Sequence, residues 1–197
     1  ARVAQSRGVT VLRTLTGFKY IGEKITEFAR SGEREFLFGY EESYGYLAGT
    51  HAQDKDAVVA AMLICEMAAA AKSQGRTLID ELNGLYARFG YYLDAQDSHT
   101  LKGKDGAGRI AAMMARLRGG ARFEDIAETL DYAQGLDGLP RENVMKFLCA
   151  DGSWFAVRPS GTEPKIKIYY SVKDTDEASA RAKLDARRAE IDRVLGL

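Results

Sequence analysis

Apolar and polar positions in the first half of the chain alternate with two different periods, near 2 for strands and near 3.6 for amphipathic helices. The pattern predicts strands at residues 9–13 and 35–39 and helices at 18–29, 54–72 and 77–89. The helix at 54–72 is apolar almost all round, so we expect it to be central. Thr77 and Asp80 have capping-box spacing for the helix that follows. Strands alternating with helices predict an α/β domain.

The second half of the chain has a different order of elements. Residues 91–104 look extended, and we place the link between two domains there, with domains at 1–92 and 93–197. Further helices are predicted at 106–118 and 175–195, the latter begun by Asp174 and Glu177, and strands at 144–149, 153–157 and 164–172. The predicted fold is a partial α/β domain, with a mixed sheet and flanking helices, followed by a smaller α+β domain. Residues 119–138 stay unassigned.

Composition limits the classes of function. Lysine plus arginine number 28 and aspartate plus glutamate 28, so no long-range field attracts nucleic acid or an anionic membrane, and any anion site must be local. The longest apolar stretch, residues 57–71, is shorter than the roughly 20 residues of a membrane helix. Cys65 and Cys149 lack metal or redox spacing, and we predict both to be small buried hydrophobes in a reducing cytoplasm.

The most informative run is Arg-Pro-Ser-Gly-Thr-Glu-Pro at residues 158–164, between two predicted strands. An arginine guanidinium can bind two phosphate oxygens, hydroxyls can donate to them, and a glycine lets backbone N–H groups approach an anion. These residue types favour a phosphate-binding loop. A tight surface turn between strands would have a similar composition.

The longer string RPSGTEPKIKIYY closely resembles the phosphate-binding loop and following strand of the α-D-phosphohexomutases, the phosphoglucomutase and phosphomannomutase family. The resemblance implies that four residues bind the phosphate of a hexose phosphate that is not transferred: Arg158, Ser160, Gly161 and Thr162. Lys165 and Lys167, which alternate off the loop, are interpreted as a solvated strand face.

A second run, GYEESYGY at residues 39–46, follows a predicted strand. Adjacent carboxylates in a loop repel each other and need solvent or hydrogen-bond donors such as sugar hydroxyls. The run could also be an exposed acidic turn. It resembles the family's sugar-binding pattern Gly-Glu-x-Ser, with Tyr40 inserted after the glycine, which implies that Glu41 and Ser43 bind sugar hydroxyls. Glu42 is then a neighbour without an assigned role.

Two further segments resemble parts of the same family. Gly17, Phe18 and Lys19 match a loop that distinguishes sugar orientations and favour glucose over mannose, although Phe18 could simply be a core residue of an amphipathic helix. Lys55 matches a lysine that could assist proton transfer or contact the phosphoryl group, and it could also be a plain surface charge. Gln53 departs from the basic residue that the family has nearby.

The family's other parts are not found in this sequence. The resemblance implies a phosphoserine that exchanges its phosphoryl group with the substrate through a glucose 1,6-bisphosphate intermediate and activator, and a Mg²⁺ ion held by an Asp-x-Asp-x-Asp loop. Neither motif occurs here. We therefore expect a C-terminal fragment, covering part of domain 3 and domain 4, of a phosphoglucomutase or phosphomannomutase. The fragment alone should be inactive.

The expected partners are a hexose phosphate and the missing N-terminal domains of the same protein, and an exposed sheet edge could drive dimerisation. Two other classes of protein remain open. One is a stand-alone phosphosugar-binding regulatory module without catalysis, and the other is a purely structural α/β domain.

Overall fold

The computed structural model of the protein describes residues 1–41, 43–103, 105–136, 138–161 and 163–197. The chain divides into two compact units, Ala1–Leu85 (unit 1) and Tyr86–Leu197 (unit 2). This division falls inside a helix, Leu78–Phe89.

Unit 1 combines helices with a short hairpin. Its elements are α1 (Arg2–Gln5), α2 (Phe18–Ser31), β1 (Phe38–Tyr40), β2 (Tyr46–Ala48), α3 (Ala57–Ser73) and α4 (Leu78–Phe89). The strands are antiparallel, with Tyr40 opposite Tyr46. Phe18, Ile25 and Leu47 form a small core that fixes α2 against the hairpin.

Local sequence signals explain where these helices begin. Gly17, at φ 123°, precedes α2, a conformation that side-chain-bearing residues rarely adopt. Asp56 caps α3 by accepting from the backbone N–H groups of its first turn. The capping box of α4 is confirmed, because the Thr77 N–H donates to the Asp80 carboxylate at 2.8 Å and the Asp80 N–H donates to the Thr77 hydroxyl at 3.2 Å.

Two predictions about unit 1 were wrong. Residues 9–13 form no strand, because no described strand pairs with them, and Val11 and Leu12 are exposed. Helix α3 is not central, since Ala71 is its only buried residue and Val58 is 80% exposed. An all-round apolar sequence predicts burial only if other elements cover every face of the helix. The described residues of unit 1 do not provide that cover.

Unit 2 is built on a five-stranded antiparallel sheet. Its strands are β3 (Tyr91–Thr100), β4 (Ile126–Asp131), β5 (Met145–Cys149), β6 (Trp154–Pro159) and β7 (Lys165–Asp174), in the spatial order β3-β7-β6-β5-β4. Helices α5 (Gly106–Arg118) and α6 (Glu177–Leu195) complete the unit. The mixture of helices and strands in the two units confirms the predicted fold class.

The core of unit 2 lies between one face of the sheet and these two helices. Alternate residues of β7, including Ile166 and Ile168, are buried there with Met114 of α5 and Ile191 of α6. The intervening residues of β7, including Lys167, therefore point to the opposite face of the sheet. That face is where the charged candidate residues lie.

The structure corrects two expectations about unit 2 and adds a strand in the stretch that had no assignment. The segment predicted as a link is β3, an edge strand that pairs with β7 over ten residues. The cap of α6 is Asp176, which accepts from the Ser179 N–H at 2.9 Å, so Asp174 is not its cap. The unassigned stretch contains β4. A strand's partner is a long-range property that local periodicity does not encode.

One cysteine also differs from its prediction. Cys149 is buried as expected, but Cys65 is exposed because it lies on the uncovered surface of α3. Among the described residues no single helix is long and apolar enough to cross a membrane. Helices α3 and α4 pass that test only as a pair bent by 86°.

Candidate functional site

The loop between β1 and β2 carries the first group of candidate residues. The Glu41 N–H donates to the Gly45 carbonyl at 3.0 Å and closes the turn. The Ser43 hydroxyl donates to Glu41 Oε1 at 2.9 Å, so the two predicted sugar ligands contact each other. Tyr44 lies between them and Gly45 with φ 64°, an uncommon conformation for a residue with a side chain. The structure does not describe Glu42.

Lys55 reaches this loop from the segment before α3. Its ammonium Nζ lies 2.9 Å from Asp54 Oδ1 and 3.7 Å from Glu41 Oε1. The hydrogen bond that the Lys55 ammonium donates to Asp54, helped by the negative charges of Asp54 and Glu41, raises the pKa of Lys55 although desolvation opposes the shift. The same hydrogen bond lowers the pKa of Asp54. Lys55 is therefore a cation beside the predicted sugar ligands.

The predicted specificity segment has mixed surroundings. Phe18 is 3% exposed and lies in the core of unit 1, which fits its interpretation as a core residue. Its ring lies beneath Lys55, with 5.3 Å from Nζ to the ring centroid. Lys19 is exposed, with its ammonium 4.7 Å from the centroid of the Tyr20 ring. The roles of Gly17, Phe18 and Lys19 in sugar recognition stay predictions.

An open groove of about 780 Å³ runs along α2 in unit 1. Lys19 lines it together with Asp54, so the groove begins beside the ion pair of Asp54 and Lys55. Acidic and basic side chains of α2, including Glu23 and Arg30, line it further along. Its mixed charges suit a polar ligand better than an apolar one.

The segment before α3 is held in place by polar contacts. His51 Nε2 lies 2.8 Å from Asp56 Oδ2, and this hydrogen bond lowers the pKa of Asp56, the helix cap. A Cβ atom on Gly22 of α2 would lie 2.5 Å from the carbonyl oxygen of Gln53, so the segment packs directly on the helix backbone. His51 and Gln53 therefore help to position Lys55.

The second group of candidate residues lies in unit 2, in the loop between β6 and β7. The loop begins at Arg158 and Pro159, which end β6, and returns through a hydrogen bond from the Ser160 N–H to the Lys165 carbonyl at 2.8 Å. The Ser160 hydroxyl accepts from the Glu163 N–H at 3.3 Å. Gly161 is exposed, with open space where a side chain would be. The predicted phosphate ligand Thr162 lies outside the described residues.

Several charged side chains surround this loop. Lys165 Nζ contacts Glu163 Oε2 at 2.9 Å, and this hydrogen bond, with the positive charges of Lys165 and Lys167, lowers the pKa of Glu163. Arg158 of β6 lies directly opposite Lys167 of β7 in the sheet register. Two cations at neighbouring positions, next to a hydroxyl and an exposed glycine, are groups suited to binding an anion.

The predicted site residues thus form two groups, one in each unit. Glu41, Ser43, Phe18 and Lys55 come together in unit 1, and Arg158, Ser160 and Gly161 in unit 2. Sequence reasoning missed Asp54 and did not use Lys167 as a candidate. Alternation of side chains along the strand after the loop could have indicated Lys167, since that residue lies on the same face of the sheet as Arg158.

Comparison with known proteins finds two family models that together match most of the chain. A family model described as phosphoglucomutase/phosphomannomutase, alpha/beta/alpha domain III, matches residues 1–89. A second, described as the C-terminal domain of the same proteins, matches residues 65–189. The chain belongs to the phosphoglucomutase/phosphomannomutase family, and it covers that family's domains III and IV.

Curated relatives are named phosphoglucomutase. The protein from Staphylococcus haemolyticus is 39% identical over 186 residues, which is 87% of this chain and 33% of the relative. The Staphylococcus aureus (strain MRSA252) protein is 35% identical over 200 residues, 93% of this chain and 36% of the relative. The chain therefore spans about a third of the length of the curated relatives it matches.

A solved structure has a similar fold. The open form of the exocytosis-sensitive phosphoprotein pp63/parafusin, a phosphoglucomutase from Paramecium, matches with a TM-score of 0.74 and 21% sequence identity. The match covers 98% of this chain and 35% of the Paramecium chain. At this identity the likeness supports the fold alone.

Proposed function

We propose that the chain is the ligand-binding part of a phosphoglucomutase, the enzyme that interconverts glucose 1-phosphate and glucose 6-phosphate. The observation that carries the proposal is the cluster of Glu41, Ser43 and Lys55 beside the hairpin of unit 1. A carboxylate and a hydroxyl are suited to the hydroxyls of a sugar, and an ammonium to a phosphate oxygen. Glu41 and Ser43 also match the family's sugar-binding pattern, and Lys55 matches a family lysine that could assist proton transfer or contact the phosphoryl group.

Unit 2 contributes the phosphate site in this proposal. Arg158 supplies a guanidinium, Ser160 a hydroxyl, and Gly161 an open backbone position. An arginine can form two parallel hydrogen bonds with a phosphate, which fixes the orientation of the group as well as holding it. The phosphate bound here would be the one that is not transferred.

The full catalytic cycle requires groups that this chain does not carry. A phosphoserine would transfer its phosphoryl group to the sugar phosphate and recover one from the resulting glucose 1,6-bisphosphate. Among the described residues no three His, Cys, Asp or Glu side chains converge to hold a metal ion. The described residues therefore do not fit the Mg²⁺ of the family. We expect this chain to bind but not to turn over.

Titration of the isotope-labelled chain with glucose 1-phosphate, followed by backbone NMR, tests the proposal. We expect saturable shifts in residues 39–46 and 158–167. Glucose alone should affect the first segment, and inorganic phosphate the second. The same titration with mannose 1-phosphate, compared with that of glucose 1-phosphate, measures the predicted preference for glucose.

Single substitutions assign the contacts. Arg158→Ala should abolish the response of the second segment, and Glu41→Gln that of the first. Arg193→Ala, at an exposed position in the last turn of α6, is the matched control for loss of one positive charge and should leave both responses intact. No response to glucose 1-phosphate at millimolar concentration would refute binding by this chain.

A further inference from the structure

Gly45 is buried although it has no side chain to bury, because another residue occupies the space beside it. A Cβ atom built on Gly45 would lie 2.2 Å from Cδ and 2.6 Å from Cγ of Lys55, and 2.9 Å from Oε1 of Glu41. Real Cβ atoms essentially never come within 3.0 Å of such neighbours. The aliphatic part of Lys55 therefore passes over the bare backbone of Gly45.

Backbone strain does not explain the glycine. Gly45 is not among the residues with positive φ, so an alanine could adopt its conformation. What chiefly excludes a side chain is the aliphatic part of Lys55, since the Glu41 oxygen at 2.9 Å is the far end of a flexible side chain and need give way only slightly. This makes Gly45 different from Gly17, whose φ of 123° by itself favours glycine.

Hydrogen bonds on either side hold the two residues together. The Asp56 N–H donates to the Tyr46 carbonyl at 2.8 Å, which fixes the residue after Lys55 to the residue after Gly45. Asp56 in turn caps α3. On the other side, the Gly45 carbonyl accepts from Glu41. The hairpin and the start of α3 thus hold the aliphatic part of Lys55 next to Gly45.

This route determines where the charged end of Lys55 lies. Its ammonium is between Asp54 and Glu41 and above the ring of Phe18. A lysine side chain is flexible, so a methyl group at position 45 would divert the stem toward solvent more readily than it would unfold the hairpin. The ammonium would then leave Glu41.

We propose that Gly45 is a positioning residue of the sugar site: the absence of its side chain leaves the path by which Lys55 brings its ammonium to Glu41. The inference rests on the proposed function, in which Lys55 and Glu41 contact a phosphosugar. Gly45 itself contacts no ligand in this proposal. It acts only through the lysine.

A cycle of four proteins tests this: the natural chain, Gly45→Ala, Lys55→Ala and the double variant. Lys55→Ala removes both clashing stem atoms, so the added methyl has no stem to displace in that background. Gly84→Ala is the control, because a Cβ there meets nothing within 4 Å and Gly84 has no positive φ. The first readout is the NOE between the Lys55 side chain and the Phe18 ring. The second is the dissociation constant for glucose 1-phosphate.

We expect Gly45→Ala to lose the NOE and to bind about tenfold more weakly, as for loss of one charge-assisted hydrogen bond. In the Lys55→Ala background the same substitution should change affinity less than about twofold. The Gly84→Ala chain should match the natural chain in both readouts. If Gly45→Ala unfolds unit 1, the proposal requires the double variant to be folded.

Three results would overturn the inference: an unchanged NOE in Gly45→Ala, an equal loss of affinity in both backgrounds, or a double variant that is as unfolded as the single one. If the natural chain binds no glucose 1-phosphate, the proposed function fails, and the NOE alone decides whether Gly45 directs Lys55. The two failures are therefore distinguishable.

Discussion

Arg158 of β6 and Lys167 of β7 lie directly opposite each other on the face of the sheet away from the helices of unit 2. Neither side chain forms an ion pair with a residue in the described part of the chain. Like charges at facing positions of an antiparallel pair destabilise it by roughly 0.2–1 kcal/mol. A bound anion would remove this cost, which favours the phosphate site that we propose here.

Inorganic phosphate should therefore stabilise unit 2. We expect its midpoint of thermal unfolding to rise with phosphate concentration, because a ligand that binds only the folded state stabilises it by mass action. Fluorescence of Trp154, the only tryptophan and a residue of β6, reports on this unit. Lys167→Ala should raise the midpoint slightly without phosphate and weaken the response to it. A full phosphate response in both Arg158→Ala and Lys167→Ala would exclude the site.

The stability of unit 2 should depend on a cluster of three aromatic rings. Phe147 and Phe155 stack with 4.6 Å between ring centroids, and Phe123 packs edge-on against both. Because Phe147 is 2% exposed, Phe147→Ala should lower the free energy of unfolding by about 3–5 kcal/mol. Urea unfolding followed by Trp154 fluorescence measures the loss. Leu148→Ala, at the neighbouring half-buried position, should cost less, and equal losses would contradict the assignment of the core.

The sequence located elements whose signals are local. Helix α5 begins and ends at the predicted residues, 106 and 118, because its apolar positions recur with the helical period. The extended character of β3 was also predicted. Its place in the sheet was not, because its partner β7 lies about 70 residues further along the chain.

The difference between local signals and long-range contacts applies to the candidate site as well. The residue types of the loop at 41–45 indicated sugar binding, but its contact with Lys55 depends on the hydrogen bond between Asp56 and Tyr46. That contact joins the hairpin to the start of α3. The sequence spacing of residues 41 and 55 does not by itself predict that their side chains come into contact.

Acid should weaken unit 2 partly through Asp131. Arg118 donates two hydrogen bonds to its carboxylate, at 2.9 Å and 3.1 Å, and these lower the pKa of Asp131 from its ordinary value of 3.8. A carboxyl group whose pKa is lower in the folded state contributes stability that is complete above the unfolded pKa. This contribution is lost as the pH falls through the folded pKa.

The comparison of the natural chain with Asp131→Asn isolates this contribution. The difference in free energy of unfolding between the two proteins should be constant above about pH 5, where Asp131 is ionised in both the folded and the unfolded chain. It should shrink below pH 3.8. Urea titrations at a series of pH values measure it. A difference that stays constant down to pH 2.5 would show that the ion pair with Arg118 does not contribute.

The two cysteines should report separately on the two units. Cys65 is exposed on α3, among apolar side chains that are themselves exposed, such as Met62 and Met67. Cys149 is buried in unit 2, where desolvation raises the pKa of its thiol and the nearby charge of Arg187 only partly opposes the shift. Since the thiolate is the reactive form, iodoacetamide should modify Cys65 at least about tenfold faster than Cys149.

Mass spectrometry of the alkylated chain over time measures both rates, and Cys65→Ala removes the fast phase. Urea should bring Cys149 to the rate of Cys65 once unit 2 unfolds. Equal rates without urea would mean either that unit 2 opens readily or that the surface of α3 is covered in solution. Urea distinguishes these, because only a covered Cys65 would react faster when the chain unfolds. Faster reaction of Cys65 in urea would therefore show that α3 associates through its apolar surface.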